Sequence, residues 1–350
     1  MDRQSQGENM INIGVIGFGY WGPNVARNFH ITPGARVVAI SDADERSLWR
    51  AGQSYPGVRM VQDFRELIKA PDVDVVAIVT PVSSHFELAH MALSNGKHIF
   101  IEKPFTACVA QAEQLIELAD RKKLKIMVDH TFLFTGAVKK IKELIDDGIL
   151  GDLYYFDSIR VNLGLFQKDV NVVWDLAPHD LSIMDHLLRM EPTAVTATGV
   201  AHFQSNLEDV AYITIYFPGN VIAHLNVNWL SPVKIRTTLI GGQKKMLVWN
   251  DLVSDEKIRV YDKGVEGLDA LSAEPKEKSY GLRLSYRSGD MWAPRVNQVE
   301  ALQGETAYFI DCINNNVTPK NDGHAGLRVV RMLEAIKTSL SSGGALVRLN

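Results

Sequence analysis

The sequence is poor in the features that mark secreted proteins and structural metal sites. Its 350 residues include only two cysteines, Cys108 and Cys312, and neither stands in a CxxC or other metal-binding spacing. A secreted scaffold of this length would more often carry a spaced set of paired cysteines. We therefore expect a cytoplasmic chain that holds no metal.

Long apolar runs and basic clusters are also missing. Runs such as residues 75–79 are far shorter than the roughly 18–20 residues that span a bilayer, and residues 1–9 form a polar tail without the apolar core of a secretion signal. Lys and Arg number 37 against 41 Asp and Glu, and no block of five or more basic residues occurs. We therefore expect neither a membrane nor a nucleic acid as a partner.

Short β-branched runs alternate with segments of helical period from residue 10 onward. Runs such as residues 74–79 are apolar on both faces, which a parallel strand between two helical layers requires. A helix over residues 108–121 and a strand over 125–130 close the series. The pattern predicts a doubly wound parallel sheet, the Rossmann arrangement, over residues 10–128.

The pattern changes after residue 129. A helix over residues 137–145 is followed by a succession of strands, which predicts an α+β domain with a large, mostly antiparallel open sheet over residues 129–350. Residues 262–292 are interpreted as an irregular excursion, and residues 325–340 as a closing helix. Polar residues occupy alternate positions of residues 224–228 and so share one face of the sheet. This face is either exposed to solvent or forms a subunit interface in a homodimer or homotetramer.

A glycine motif follows the first predicted strand. Residues 17–22 read GxGxxG at the start of a helix, and Asp42 ends the second strand about 20 residues later. Such a turn lets the backbone approach a pyrophosphate, while the carboxylate accepts hydrogen bonds from a ribose and repels a 2′-phosphate. The pair predicts NAD rather than NADP; the alternative is a tight turn and a strand-end cap. The expected cofactor contacts here are Gly17, Phe18, Gly19, Tyr20, Trp21, Gly22 and Asp42.

Two further strand ends carry polar residues. Thr80 and Pro81 end the third predicted strand, and Glu102 and Lys103 precede Pro104 at the end of the fourth. Because parallel strands place their ligands at their carboxyl ends, we expect Thr80, Pro81, Glu102 and Lys103 to contact the cofactor, with Lys103 facing the nicotinamide. His85 is either a further cofactor contact or an ordinary residue near a helix start.

A distant segment carries a second candidate group. Residues 174–180, WDLAPHD, begin a helix in which Asp175 and His179 lie one turn apart on one face. Pro178 is compatible with a helix at its first turn. The alternative is that Asp175 caps the helix and His179 is a packed surface residue.

Together these motifs resemble the Gfo/Idh/MocA oxidoreductase family, over nearly the whole chain. The resemblance implies that Lys103 and His179 are the catalytic pair and that Asp175 assists. Many members carry an aspartate where this chain has Ser182, which affects the expected substrate contacts more than the chemistry. Within the family the chain is most similar to dehydrogenases that oxidise the 3-hydroxyl of UDP-linked N-acetylglucosamine or its uronic acid, through residues 19–24, 174–180 and 288–300.

The resemblance implies hydride transfer from a secondary alcohol to NAD. His179 would accept the hydroxyl proton, and Lys103 would stabilise the developing alkoxide, with the division of the proton between them left open. The residues expected to contact substrate are Lys103, Arg160, Asn162, Trp174 and His179. Two alternatives remain: a dehydrogenase of free polyols or sugars, such as inositol, and an NAD-binding regulatory protein without activity.

Overall fold

The computed structural model describes residues 10–164, 170–203, 207–266 and 285–349, so the expected tail at residues 1–9 lies outside the described part. The chain divides into two compact units. The first comprises Met1–Thr135 and Val299–Glu334, and the second Gly136–Gln298 and Ala335–Asn350. The sequence placed the boundary near residue 128; the contacts place it after Thr135 and assign residues 299–334 to the first unit.

The helices of the described residues begin and end at defined positions. In chain order they are α1 Gly22–Ile31, α2 Glu45–Ser54, α3 Phe64–Lys69, α4 Val82–Ser94, α5 Val109–Lys122, α6 Gly136–Asp146, α7 Val172–Leu188, α8 Ala301–Asn314 and α9 Gly323–Ser341. The sequence patterns predicted most of them but missed α3 and α8. No helix in these described ranges is both long and apolar enough to cross a membrane.

Six parallel strands form the sheet of the first unit. They are β1 Ile11–Ile16, β2 Ala35–Ser41, β3 Arg59–Val61, β4 Val75–Ile78, β5 His98–Ile101 and β6 Ile126–Val128, in the order β3-β2-β1-β4-β5-β6. This is the doubly wound dinucleotide-binding order. The predicted fold class is therefore confirmed.

The late segment joins the first unit because its apolar faces are buried there. Phe309 of α8 lies 6.1 Å from Phe100 of β5, measured between ring centroids, and both rings are buried. Leu327 and Val330 of α9 belong to the same apolar cluster as the inner strands. Such contacts join residues 200 positions apart, and no local sequence signal reports them.

The second unit contains a mixed sheet of nine strands among the described residues. They are β7 Leu153–Leu163, β8 Ala194–Val200, β9 Val210–Tyr216, β10 Ile222–Asn228, β11 Leu230–Gly242, β12 Met246–Asn250, β13 Ile258–Glu266, β14 Ser285–Trp292 and β15 Val347–Arg348. The order is β14-β13-β12-β11-β7-β10-β9-β8-β15, and of these neighbours only β7 and β10 pair in parallel.

One face of this sheet is apolar and buried, and the other is open. On β9, Ala211, Ile213 and Ile215 are fully buried, whereas Tyr212 and Tyr216 on the alternate positions are exposed. This alternation is the one expected of a strand with a single covered face. The use of the open face as a subunit interface stays a prediction.

One stretch differs from the sequence interpretation. Part of residues 262–292, expected to be irregular, forms regular structure, because β14 pairs antiparallel with β13 from Glu266↔Ser285 to Val260↔Trp292. Residues 267–284 lie outside the described part of the chain. The polar composition of residues 262–292 obscured the later half of β13 and all of β14, since neither stretch carries a continuous apolar run.

Candidate active site

Strand register places the candidate residues of the first unit at one edge of its sheet. Ile16, the last residue of β1, aligns with Ser41 and with Ile78, Ile78 aligns with Ile101, and Ile101 aligns with Val128. The residues that follow these strand ends therefore share the carboxyl edge. They are the glycine turn at 17–22, Asp42, Thr80, Glu102 with Lys103, and Asp129.

The glycine turn has the backbone that the motif predicts. Gly17 has a φ of +95°, and a Cβ there would lie 2.2 Å from the Val79 carbonyl oxygen. A Cβ on Gly22 would lie 2.2 Å from the Gly17 oxygen, so both positions require glycine. A Cβ on Gly19 would have no heavy atom of the described residues within 4 Å, apart from Gly19 and its two chain neighbours. The turn therefore leaves open space against its backbone, which fits the approach of a pyrophosphate.

Asp42 holds the glycine turn as well as ending β2. Its Oδ2 accepts the Phe18 backbone N–H at 2.6 Å, and its Oδ1 accepts that of Asp44 at 2.8 Å. Asp44 in turn caps α2 by accepting the N–H groups of Arg46 and Ser47. The carboxylate is thus fixed beside the glycine turn, where the sequence motif predicts the ribose contact.

His85 lies inside the first unit rather than on its surface. Its Nδ1 is 2.9 Å from the Pro104 carbonyl oxygen and its Nε2 is 2.8 Å from that of Thr80. Burial lowers the pKa of the ring, and a neutral imidazole carries one N–H and so donates to one of the two carbonyls at a time. His85 therefore connects the segment after β4 with the segment that carries Lys103.

The second unit presents Asp175 and His179 on one helix. Helix α7 begins at Val172, with the Asn171 side chain accepting the Trp174 N–H at 3.1 Å. Both candidate residues are partly exposed and lie one turn apart. Pro178 was expected in the first turn but lies in the second, where it removes the N–H that would bond to the Trp174 carbonyl.

Trp229, which the sequence analysis missed, fixes Asp175. The buried indole donates its Nε1–H to Asp175 Oδ2 at 3.1 Å. Gly164 permits this placement, because a Cβ there would lie 2.6 Å from the indole Cδ1. A lone tryptophan after a strand carries no local signal of this contact.

Arg160 makes a buried ion pair beside His179. Its Nε and Nη2 donate to the two carboxylate oxygens of Asp180 at 2.8 and 2.9 Å, and both side chains are almost fully buried. Trp174 is also buried, whereas Asn162 is partly exposed. The expected substrate contacts of Arg160, Trp174 and Asn162 stay predictions.

Two family models match the chain. Residues 11–130 match an oxidoreductase family with an NAD-binding Rossmann fold, and residues 138–248 match the GFO/IDH/MocA C-terminal domain. The prediction that the cofactor is NAD is thereby confirmed.

Curated relatives span different shares of the chain. The uncharacterized oxidoreductase YdgJ of Escherichia coli is 32% identical over 48% of this chain and 51% of its own length. D-apiose dehydrogenase of Paraburkholderia graminis is 25% identical over 94% of this chain and 87% of its own. UDP-N-acetylglucosamine 3-dehydrogenase of Acidithiobacillus ferrooxidans is 24% identical over 94% and 97%.

Solved structures share the fold over nearly the full length. The same A. ferrooxidans 3-dehydrogenase superposes with a TM-score of 0.78 at 23% identity, covering 95% of this chain and 98% of that one. Apo scyllo-inositol dehydrogenase of Lactobacillus casei gives 0.78 at 20% identity, covering 97% and 98%. At such identities these superpositions establish the fold.

Replacing Asp42 tests the expected contact of this residue with NAD. We expect Asp42→Ala to weaken NAD binding about tenfold or more, because a hydrogen bond to a charged group contributes about 1.5–3 kcal/mol. Asp42→Asn, which removes the charge but keeps an acceptor for the Phe18 N–H, should mainly narrow the preference for NAD over NADP. Titration calorimetry with both dinucleotides measures each effect. Glu45→Gln, a nearby exposed carboxylate, is the control, and an unchanged NAD affinity in Asp42→Ala would contradict the assignment.

Proposed function

This chain belongs to the Gfo/Idh/MocA oxidoreductase family, and we propose that it oxidises a secondary alcohol of a sugar with NAD as hydride acceptor. The observation that carries the proposal is the shared carboxyl edge of the first unit. The glycine turn, Asp42 and Lys103 follow strands that end in register. A binding surface for the dinucleotide and an ammonium group thus belong to one rigid frame.

The residues at the carboxyl edge of the first unit have separate roles in this proposal. The turn at 17–22 holds the pyrophosphate against its backbone, and Asp42 accepts hydrogen bonds from the adenosine ribose. Thr80, Pro81 and Glu102 complete the contacts at the neighbouring strand ends. When bound, NAD supplies the acceptor for the hydride that leaves the alcohol carbon.

His179 is the general base in this proposal. The imidazole accepts the hydroxyl proton, and Asp175, fixed by the Trp229 indole, stabilises the imidazolium that forms. A positioned base of this kind contributes roughly 10²–10⁴-fold to the rate. Asp175 therefore acts as a positioning residue for His179.

Lys103 stabilises charge on the substrate oxygen. Its ammonium donates a hydrogen bond to the oxygen that becomes an alkoxide as the hydride departs. His85 supports this role, because its ring contacts the carbonyl of Pro104, the residue that follows Lys103. Lys103 is only partly buried, so it can reach a ligand.

We further propose the 3-hydroxyl of a UDP-linked N-acetylated hexose, or its uronic acid, as the substrate group. The relative from A. ferrooxidans that covers 94% of this chain acts on UDP-N-acetylglucosamine by its name, and the run 174–180 carries the likeness to such enzymes. A free sugar or polyol is the second candidate, because the relative from P. graminis covers the same share of the chain and acts on D-apiose by its name.

Substrate identity is tested by the absorbance of reduced nicotinamide. With NAD present, we expect reduction with UDP-N-acetylglucosamine or its uronic acid and none with free N-acetylglucosamine, D-apiose or myo-inositol. Reduction by a free sugar or polyol alone would replace the nucleotide-sugar proposal with the second candidate. No reduction with any of these alcohols, despite measurable NAD binding, would favour the regulatory alternative.

Removing Lys103 tests the charge-stabilising role. We expect Lys103→Ala and Lys103→Met to lower kcat by at least about 10²–10³-fold, the cost of losing one preorganised donor to an oxyanion, while the NAD dissociation constant changes little. Steady-state kinetics and calorimetry on the same preparations separate the two effects. Lys69→Ala, at an exposed lysine of α3, is the control. A rate close to that of the wild type in either Lys103 variant would refute the role.

A further inference from the structure

Asp129 is a buried carboxylate at the same edge as the cofactor residues. It follows β6 directly, and its side chain is almost fully buried. Its Oδ1 accepts a hydrogen bond from the Thr131 hydroxyl, and its Oδ2 accepts one from the Trp21 indole Nε1–H at 3.3 Å. Both oxygens thus receive donors, which is the environment of an ionised carboxylate.

Two more carboxyl groups surround Asp129. Glu102 follows Ile101, whose carbonyl accepts the Asp129 N–H at 2.7 Å. The Asn321 amide joins Glu305 of α8 to the carbonyl of Val128, the residue before Asp129. Both carboxyl groups thus lie within hydrogen-bonding reach of Asp129. Glu305 is fully buried and its Oε1 accepts from Asn321 Nδ2 at 2.8 Å. Its Oε2 is buried, and no donor of the described residues reaches it. An ionised Glu305 would therefore leave the charge on that oxygen without compensation, whereas a protonated one can donate to Asp129.

A hydrogen bond between two carboxyl groups requires a proton on one of them. Burial, and then the charge of Asp129, raises the pKa of Glu305 well above its usual range, and the same two causes in the same order raise that of Glu102. Lys103 also faces the cluster, since its charge lowers the pKa of Glu102. His130 follows Asp129 in the chain, and Arg328 lies near the His130 ring. Burial lowers the pKa of His130 to about 3, so its ring adds no positive charge at neutral pH.

We infer that Asp129, Glu102 and Glu305 form a proton-sharing cluster with one negative charge, held on Asp129, and that Asp129 is a positioning residue for Glu102 and Trp21. We call these three residues the carboxyl cluster. Glu102 is then a neutral acid whose hydroxyl donates to Asp129 and whose carbonyl oxygen remains an acceptor. A contact of that oxygen with the cofactor rests on the proposed function, but the protonation of the carboxyl cluster does not.

Infrared spectroscopy of the protein without cofactor tests the protonation directly. A buried carboxylic acid absorbs as a C=O stretch apart from the carboxylate bands. We expect Glu305→Gln to remove acid intensity at neutral pH. Glu300→Gln should remove none, because Glu300 is exposed at the residue before the same helix, and hydrogen bonds from Arg27 and Asn28 lower its pKa. An unchanged acid band in a folded Glu305→Gln protein would overturn the inference.

The charge on Asp129 is tested by titrating the same band. In Asp129→Asn, Glu102 and Glu305 lose the neighbouring anion, so their acid intensity should disappear at lower pH than in the wild type. Far-UV circular dichroism establishes that the variant is folded. Thr131→Val, which removes one donor but keeps the carboxylate of Asp129, provides a second variant in which the midpoint should not move to lower pH. An acid band with the same midpoint in Asp129→Asn and the wild type would place the charge elsewhere.

The positioning role is tested by a double-mutant cycle on NAD affinity. Trp21→Phe removes the donor of one hydrogen bond, and Asp129→Ala removes its acceptor. We expect each to weaken NAD binding several-fold and the double variant to bind about as weakly as Asp129→Ala alone. Additive losses would show that Asp129 does not act on NAD through Trp21. The infrared outcomes are independent of turnover, so they hold or fail separately from the dehydrogenase proposal.

Discussion

Parallel hydrogen bonding between strands of the first unit is the constraint on which the candidate site depends. Because β1, β2, β4, β5 and β6 end in register, residues that follow them meet at one edge although the chain separates them by more than 100 positions. The strands stay in this register because both faces are buried: Val75, Val76, Ala77 and Ile78 of β4 are all fully covered. Apolar residues of the strands thus position the polar groups at the edge, although they take no part in the chemistry.

Polar contacts then fix the individual groups at that edge. Asp42 binds the turn through Phe18, His85 connects Thr80 with Pro104, and Asp129 connects Trp21 with the carboxyl groups around it. Each contact joins the end of one strand to the end of another. A site built this way resists displacement of any single group, which is what preorganisation requires.

Helix α7 is held by different means in the second unit. The Trp229 indole fixes Asp175, and the buried Arg160 pair fixes Asp180 directly after His179. Removing one partner of such a buried pair typically costs about 3–5 kcal/mol, because the other charge is left without compensation. The ion pair therefore specifies how this part of α7 packs on the sheet more than it adds net stability.

The sequence predicted those features that have a local pattern. The glycine turn, Asp42 and Lys103 stand at strand ends that periodicity identifies, and Asp175 and His179 have helical spacing. Asp129 and Trp229 were missed, because their partners are distant in sequence and no spacing reports a tertiary hydrogen bond. The ion pair of Arg160 was missed for a related reason: a basic residue on a strand does not reveal that Asp180 neutralises it inside the second unit.

The fate of the hydrogen on the alcohol carbon tests the central claim most directly. UDP-N-acetylglucosamine carrying deuterium at carbon 3 is incubated with the protein and NAD, and the mass of the reduced cofactor is measured. Direct hydride transfer predicts one deuterium in the recovered NADH and a slower reaction than with unlabelled substrate. Reduced cofactor without the label, or equal rates for the two substrates with the label retained in the sugar, would contradict the account.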